Sequence, residues 1–268
     1  MVTIDEIKER GQLSAKEHIE EERGNYPYVG YVLRRISPYL TKFFVEHNIS
    51  ANTVSTLSIL LGIAANITFI FGDYYLMLLG VIIYQFWNIC DLSDGEIARV
   101  TGIKTGGGKY IETINDPITE CGFISCIGIS LYKMFGDNSF IFWGLFFAIC
   151  YALLSSFART KDMIAERLQI KERKSEGPKK MLPAKKLYKK MRLLFVTING
   201  YIVLTIIVIF QLLLIRESYA TLLGIKLNFL STYFFLYGLL WIIRMTVSVV
   251  TNYKYLIKHE KFKIAEYP

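Results

Sequence analysis

Residues 91–116 read DLSDGEIARVTGIKTGGGKYIETIND, a polar island in surroundings made mostly of Leu, Ile, Phe and Tyr. Asp91, Asp94, Gly95, Ala98 and Arg99 recur at intervals of three and four. If the uncharged run before them continues as a helix, they form one polar face at its end. Gly108, Glu112 and Asp116 recur at intervals of four and define a second such face, beyond a Gly-rich turn read as TGIKTGGG. Two facing helices would bring four carboxylates together. Such a group is costly beside lipid, and like charges a few Å apart raise one another's pKa values; divalent cations are the usual remedy. A solvated loop would have no need of small residues at helical spacing among the acids.

The rest of the chain says which solvent those helices stand in. Of 268 residues, 53% are hydrophobic and 20% charged, and the apolar residues fall in long uncharged runs rather than in stripes. Val54–Phe71, Tyr74–Cys90, Ser139–Ala158, Leu193–Ile215 and Leu227–Ile243 are five such runs. Tyr110–Tyr132 carries Glu112, Asp116 and Glu120 but is apolar after Asp116, and makes a sixth with its acids inward or near one interface. The expected fold is all-α, a polytopic membrane protein with six transmembrane helices.

Charge sets the expected sidedness. Residues 161–192 hold twelve Lys and Arg against four Asp and Glu, a net of +8, the value for the whole chain. The positive-inside rule puts this loop in the cytoplasm. Counting spans back places the 91–116 stretch and both termini there too. Residues 1–25 are polar and mixed in sign, which reads as no cleaved signal peptide, so the first span is the expected insertion signal. Between them, Tyr31, Ile36, Tyr39, Leu40, Phe43 and Phe44 make an apolar side with Arg34, Arg35, Lys42 and Glu46 interleaved. This predicts an interfacial amphipathic helix, interrupted or kinked near Pro38. The expected division is a polar segment over 1–29, a membrane domain over 30–256 and a basic cytoplasmic tail over 257–268.

Other chemistries find little support. Cys90, Cys121, Cys126 and Cys150 lack metal-ligand spacing and sit in or beside apolar runs, as small buried hydrophobes do. His18, His47 and His259 lie outside the spans and complete no triad. The basic loop has no interleaved aromatic platforms, so anionic lipid or a phosphorylated substrate explains it better than nucleic acid. What remains is a set of carboxylates able to hold two cations about 4 Å apart around a diphosphate. Gly95, Ala98 and Gly108 let a bulky group approach the backbone. Arg99 adds charge compensation, and a further carboxylate is placed to take a proton from an attacking hydroxyl. The composite is a phosphoryl or phosphatidyl transferase acting on a diphosphate donor.

The pattern resembles the CDP-alcohol phosphotransferase family of membrane enzymes, whose signature is D-x2-D-G-x2-A-R-x8-G-x3-D-x3-D. Asp91, Asp94, Gly95, Ala98, Arg99, Gly108, Glu112 and Asp116 keep every interval, and SANTVS at 50–55 looks like the family's lead-in to the first span, with Ala51 at its usual proline. The resemblance implies six transmembrane helices in a homodimer, with the cytidine diphosphate over Gly95, Ala98 and Gly108 and compensated by Arg99. It implies two divalent cations, Mg2+ first and Mn2+ as the alternative, on Asp91, Asp94, Glu112 and Asp116, with Asp116 as general base. The implied reaction carries a substituted phosphate from a CDP-linked alcohol, CDP-diradylglycerol first and a CDP-linked polar alcohol such as CDP-inositol second, to an acceptor hydroxyl, releasing CMP. That is the chemistry of phospholipid biosynthesis. Arg159 and Lys161 would then meet an acceptor that bears phosphate, although Arg159 also reads as an interface anchor.

Two positions depart from the pattern: Glu112 stands where the family has aspartate, and Pro117 follows Asp116, where it should disturb the helix and bring Glu120 toward the polar cluster. Two readings of other classes remain distinguishable. An aspartate-rich membrane prenyltransferase would release pyrophosphate rather than CMP. A membrane transport or structural protein would turn over no CDP-linked donor.

Overall fold

The structure, a computed structural model, describes residues 2–12, 28–103, 105–167, 206–209, 220–222 and 225–260. Helix α1 (Ile4–Glu6) runs into π-helical turns over Ile7–Gln12. A second π-helical stretch, Val29–Leu33, leads into α2 (Arg34–Glu46). Four long helices follow: α3 (Ala51–Ile70), α4 (Tyr74–Thr101), α5 (Gly106–Phe135) and α6 (Ser139–Arg167). A pair of three-residue antiparallel strands, β1 (Ala220–Leu222) and β2 (Ile225–Leu227), precedes α7 (Phe229–Glu260). Among the described residues, α3, α4, α5 and residues 139–157 of α6 are long and apolar enough to cross a membrane, and Phe229–Ile243 is a shorter apolar stretch within α7. The chain is an all-α integral membrane protein. The run expected over Leu193–Ile215 lies outside the described residues except for 206–209, which are helical.

The helices begin and end where side chains satisfy the backbone. Ser50 accepts from the Thr53 amide to open α3, Asp73 from the Tyr75 and Leu76 amides to open α4, and Thr105 from the Gly108 amide to open α5. Gly102 closes α4 in the left-handed region, at φ 72°, which only glycine enters at no steric cost. The turn between the signature helices is therefore shorter than TGIKTGGG. Thr105 caps the helix, and Gly106–Gly108 become the first turn of α5. Nor does Pro117 break α5, which runs unbroken to Phe135. Packing against neighbouring helices lets a membrane helix carry a proline that a soluble one would not. Pro38 likewise sits inside a continuous α2.

In lipid the association of helices rests on packing and interhelical hydrogen bonds rather than on the hydrophobic effect. α3 packs extensively on both α4 and α5, and α6 on α5 and α7. Phe123 of α5 is the hub: its ring meets Phe69 at 5.7 Å, Tyr84 at 5.3 Å and Tyr237 at 6.0 Å, all edge-on. Each such pair contributes about 0.5–1.5 kcal/mol beyond its buried area. Tyr84 donates to Asn66 of α3, and Asn66 donates to the Thr119 carbonyl of α5 at 3.1 Å, so three helices share one polar clasp. Where α5 crosses α6, Gly128 and Gly144 abut. A Cβ on Gly128 would fall 3.0 Å from the Gly144 Cα and 2.6 Å from the Phe140 carbonyl. Cys90, Cys126 and Cys150 are buried, as expected of small hydrophobes.

α2 is amphipathic with its polar side turned inward. Arg34, Ser37 and Thr41 are buried against the protein, whereas Ile36, Tyr39 and Phe43 are exposed, as is Tyr31 just before it. That is the arrangement expected of a helix lying in the interface with its rings toward lipid. Nearby, the Tyr28 hydroxyl donates to Gln85 of α4 at 2.8 Å, and burial pushes the phenol above its ordinary pKa, so it stays a donor.

Candidate active site

The signature residues lie at one end of the bundle, on the last three turns of α4 and the first three of α5. α4 and α5 meet here chiefly through side chains. Asn115 of α5 donates to Asp91 at 2.9 Å and to Ser58 of α3 at 3.0 Å, while its carbonyl oxygen accepts from the Trp87 indole at 3.2 Å. One buried amide thereby ties α3, α4 and α5 together and sets the Asp91 carboxylate. Asp94 is set from α3, by the Ser55 hydroxyl at 2.5 Å. Both donors are neutral groups that orient a carboxylate, as the partners of metal ligands do.

A cavity of about 340 Å³ opens between the ends of α3, α4 and α5. Asp94, Gly95, Ala98, Arg99 and Gly108 all line it, together with Asn52, Ser55, Thr105 and Lys109. All four positions expected to hold the nucleotide are thus brought to one wall system, with one expected metal ligand beside them. Gly108 is where a side chain would intrude most: a Cβ there would lie 2.5 Å from the Asn52 side-chain oxygen. Gly95 faces the Arg99 guanidinium, 3.1 Å from where its own Cβ would be. The N-terminus of α5 opens at the cavity through Thr105 and Gly108, and Gly106 and Gly107 have open space where side chains would be. Arg99, Lys109 and that helix terminus favour an anion, whereas Asp94 favours a cation. A diphosphate carrying divalent metal answers both.

The other expected residues are placed as follows. Asp116 is exposed on α5, one residue beyond Asn115. The side chains of Glu112 and Lys161 lie outside the described residues, and among those described no three His, Cys, Asp or Glu stand together as a metal group. Arg159, half-buried on α6, donates to Ser155 one turn back at 2.9 Å. Glu120 accepts from Tyr237 of α7 at 2.7 Å, at the aromatic core.

Sequence reasoning missed the rear of the site altogether. Glu96, the residue after Gly95, is fully buried. Its Oε1 accepts from Gln12 at 2.8 Å, Arg34 at 3.2 Å and Ser37 at 2.7 Å, and its Oε2 from Thr41 at 2.8 Å. The inward polar side of α2 exists to meet this carboxylate. Arg34, Ser37 and Thr41 at intervals of three and four were the available signal, hidden by reading the helix for its apolar side alone.

Comparison with known proteins agrees with this geometry. The family profile described as CDP-alcohol phosphatidyltransferase matches residues 48–253, and the chain belongs to that family. It is also 29% identical over 115 residues to the bifunctional IPC transferase and DIPP synthase of Aquifex aeolicus (strain VF5). That match covers 43% of this chain and 25% of the relative, so the chain spans about a quarter of that protein's length. The family is generally dependent on divalent metal, and the donor chemistry here fits one: hard carboxylate oxygens, two of them oriented by neutral hydrogen bonds.

Proposed function

We propose that the protein transfers a substituted phosphate, most simply a phosphatidyl group, from a CDP-linked alcohol to the hydroxyl of an acceptor, releasing CMP. The observation that carries this reading is the single cavity that gathers Asp94, Gly95, Ala98, Arg99 and Gly108 at the N-terminus of α5. The small residues admit the nucleotide to the helix backbones, and Arg99 with the α5 terminus balances the diphosphate charge. Asp91, Asp94, Glu112 and Asp116 would hold two divalent cations, Mg2+ or Mn2+. When bound, these supply charge neutralisation of the diphosphate as the leaving group departs.

Asp116 is the general base. Its exposure leaves it reachable by an acceptor hydroxyl. The hydroxyl oxygen forms a bond to the phosphorus that carries the donor alcohol, its proton passes to Asp116, and the bond from that phosphorus to the CMP oxygen breaks. Rigid helices suit the task, since positioning contributes as much as charge. Arg159 and Lys161, at the same end of α6, form the receiving surface for an acceptor bearing phosphate. The site and the basic stretch of sequence at 161–192 face the cytoplasm, and the functional unit is a homodimer within the bilayer, handling no nucleic acid.

The test is mass spectrometry of products formed by the purified protein, with Mg2+, from a panel of CDP-linked donors and hydroxyl acceptors. CMP and a transferred phosphodiester are expected with a lipid-linked donor. Turnover of CDP-inositol alone would reassign the donor, and pyrophosphate release, or no turnover of any CDP-linked compound, would overturn the reading.

A further inference from the structure

The arginine of the cavity is held from outside the signature. Arg99 Nε donates to the Gly11 carbonyl at 2.5 Å, and the rest of its guanidinium lies over Gly95 at the cavity wall. Gly11 is buried against α4, where a Cβ would come within 3.3 Å of Val100 and 3.5 Å of Glu96. The adjacent Gln12 donates from one amide nitrogen to the Arg34 carbonyl at 2.9 Å and to Glu96 at 2.8 Å. The segment Ile4–Gln12 is therefore latched at Glu96 and hands its last turn's carbonyl to Arg99.

We propose that Ile4–Gln12 is a positioning element of the donor site, with Gln12 as the latch and the Gly11 carbonyl as the rest that aims the Arg99 guanidinium across Gly95. This rests on reading the cavity as the site of the CDP-linked donor. An arginine side chain loses much rotamer entropy when it is fixed. A guanidinium fixed beforehand by a backbone carbonyl binds a diphosphate without meeting that cost at the moment of binding. Gln12 touches no substrate in this scheme; it acts through Arg99.

Such an arrangement must work in both directions, because coupling between two binding events is reciprocal. If the segment aims Arg99 for the donor, then donor bound to Arg99 must hold the segment. Hydrogen–deuterium exchange on the full chain in nanodiscs, with Mg2+ and with or without CDP as probe, reads this directly. Slower exchange of the residue 4–12 amides on adding CDP is expected. Unchanged exchange there, alongside protection at 95–108, would overturn the proposal while leaving the donor site intact.

A double-mutant cycle supplies the second arm. CDP affinity is expected to fall roughly tenfold in Gln12→Ala and at least as far in Arg99→Gln, with the double variant no weaker than Arg99→Gln alone. Losses that multiply, or Gln12→Ala binding like the parent, would show that the latch does not act through Arg99. No loss in Arg99→Gln would sink the donor-site reading itself, and this inference with it.

Discussion

Two carboxylates two residues apart on α4 have opposite circumstances. Glu96 is fully buried, with four donors on it, one of them the Arg34 guanidinium. Asp94 lines an open cavity and is oriented by the Ser55 hydroxyl. A buried ion whose hydrogen bonds are all met is a structural fixture, and removing it leaves an uncompensated partner in a dry place. Asp94, at the edge of a cavity, stands where a ligand can reach it. On the proposed function, the difference gives the polar end of α4 a front for chemistry and a back that holds the front in place.

Removing the cations should produce the largest effect at the front. Exhaustive chelation is expected to abolish CMP release, with added Mg2+ or Mn2+ restoring it, and the melting temperature should change little. Full activity in metal-free buffer would break the comparison at its root. Asp116→Asn is expected next. It keeps the shape but cannot take a proton, so the single-turnover rate should fall by roughly two to four orders of magnitude, with donor affinity weakened far less.

The back should answer in stability instead. Glu96→Ala leaves Arg34 without its carboxylate in a buried position, and a loss of about 3–5 kcal/mol is expected by denaturant titration. Asp94→Asn should lose CMP release with nearly unchanged unfolding. If Asp94→Asn unfolded more readily than Glu96→Ala, the assignment of front and back would be reversed.

Smaller effects sharpen the picture. Ser55→Ala unties the orienting hydrogen bond on Asp94, and about a 10- to 100-fold higher metal requirement is expected from a metal titration of activity. Glu112→Asp restores the shorter acid of the family pattern and keeps the charge. It is expected to keep substantial turnover while shifting which of Mg2+ and Mn2+ supports it best.

The membrane helices were legible because lipid imposes a crude rule: a long run without charge must span, and Val54–Phe71 could be little else. The cavity-lining residues were legible because Gly95, Ala98 and Arg99 sit at helical intervals on one helix and Gly108 sits at helical intervals with Glu112 and Asp116 on the next, and helices preserve spacing. What stayed hidden depends on pairing across the chain. Gln12 and Glu96 are 84 residues apart, and nothing local to either marks the other. Asn115 stood between the expected acids and drew no notice, yet it is the residue that joins Asp91 to α5 and α3. The glycine triplet misled in the other direction. Glycine usually marks a turn, but the Thr105 cap draws these three into the helix, where bare backbone is useful beside an anion.

α2 turns Ile36, Tyr39 and Phe43 outward and Arg34, Ser37 and Thr41 inward. In a bilayer the three outward side chains would rest against the headgroup region. The same short helix carries Arg34, Ser37 and Thr41, the grip on Glu96. On the proposed function, the wall behind the chemistry would then be built partly of protein and partly of the bilayer. A change in how tightly the headgroups pack would be felt first by those outward side chains, and the next thing along the same helix is the anchor of the site.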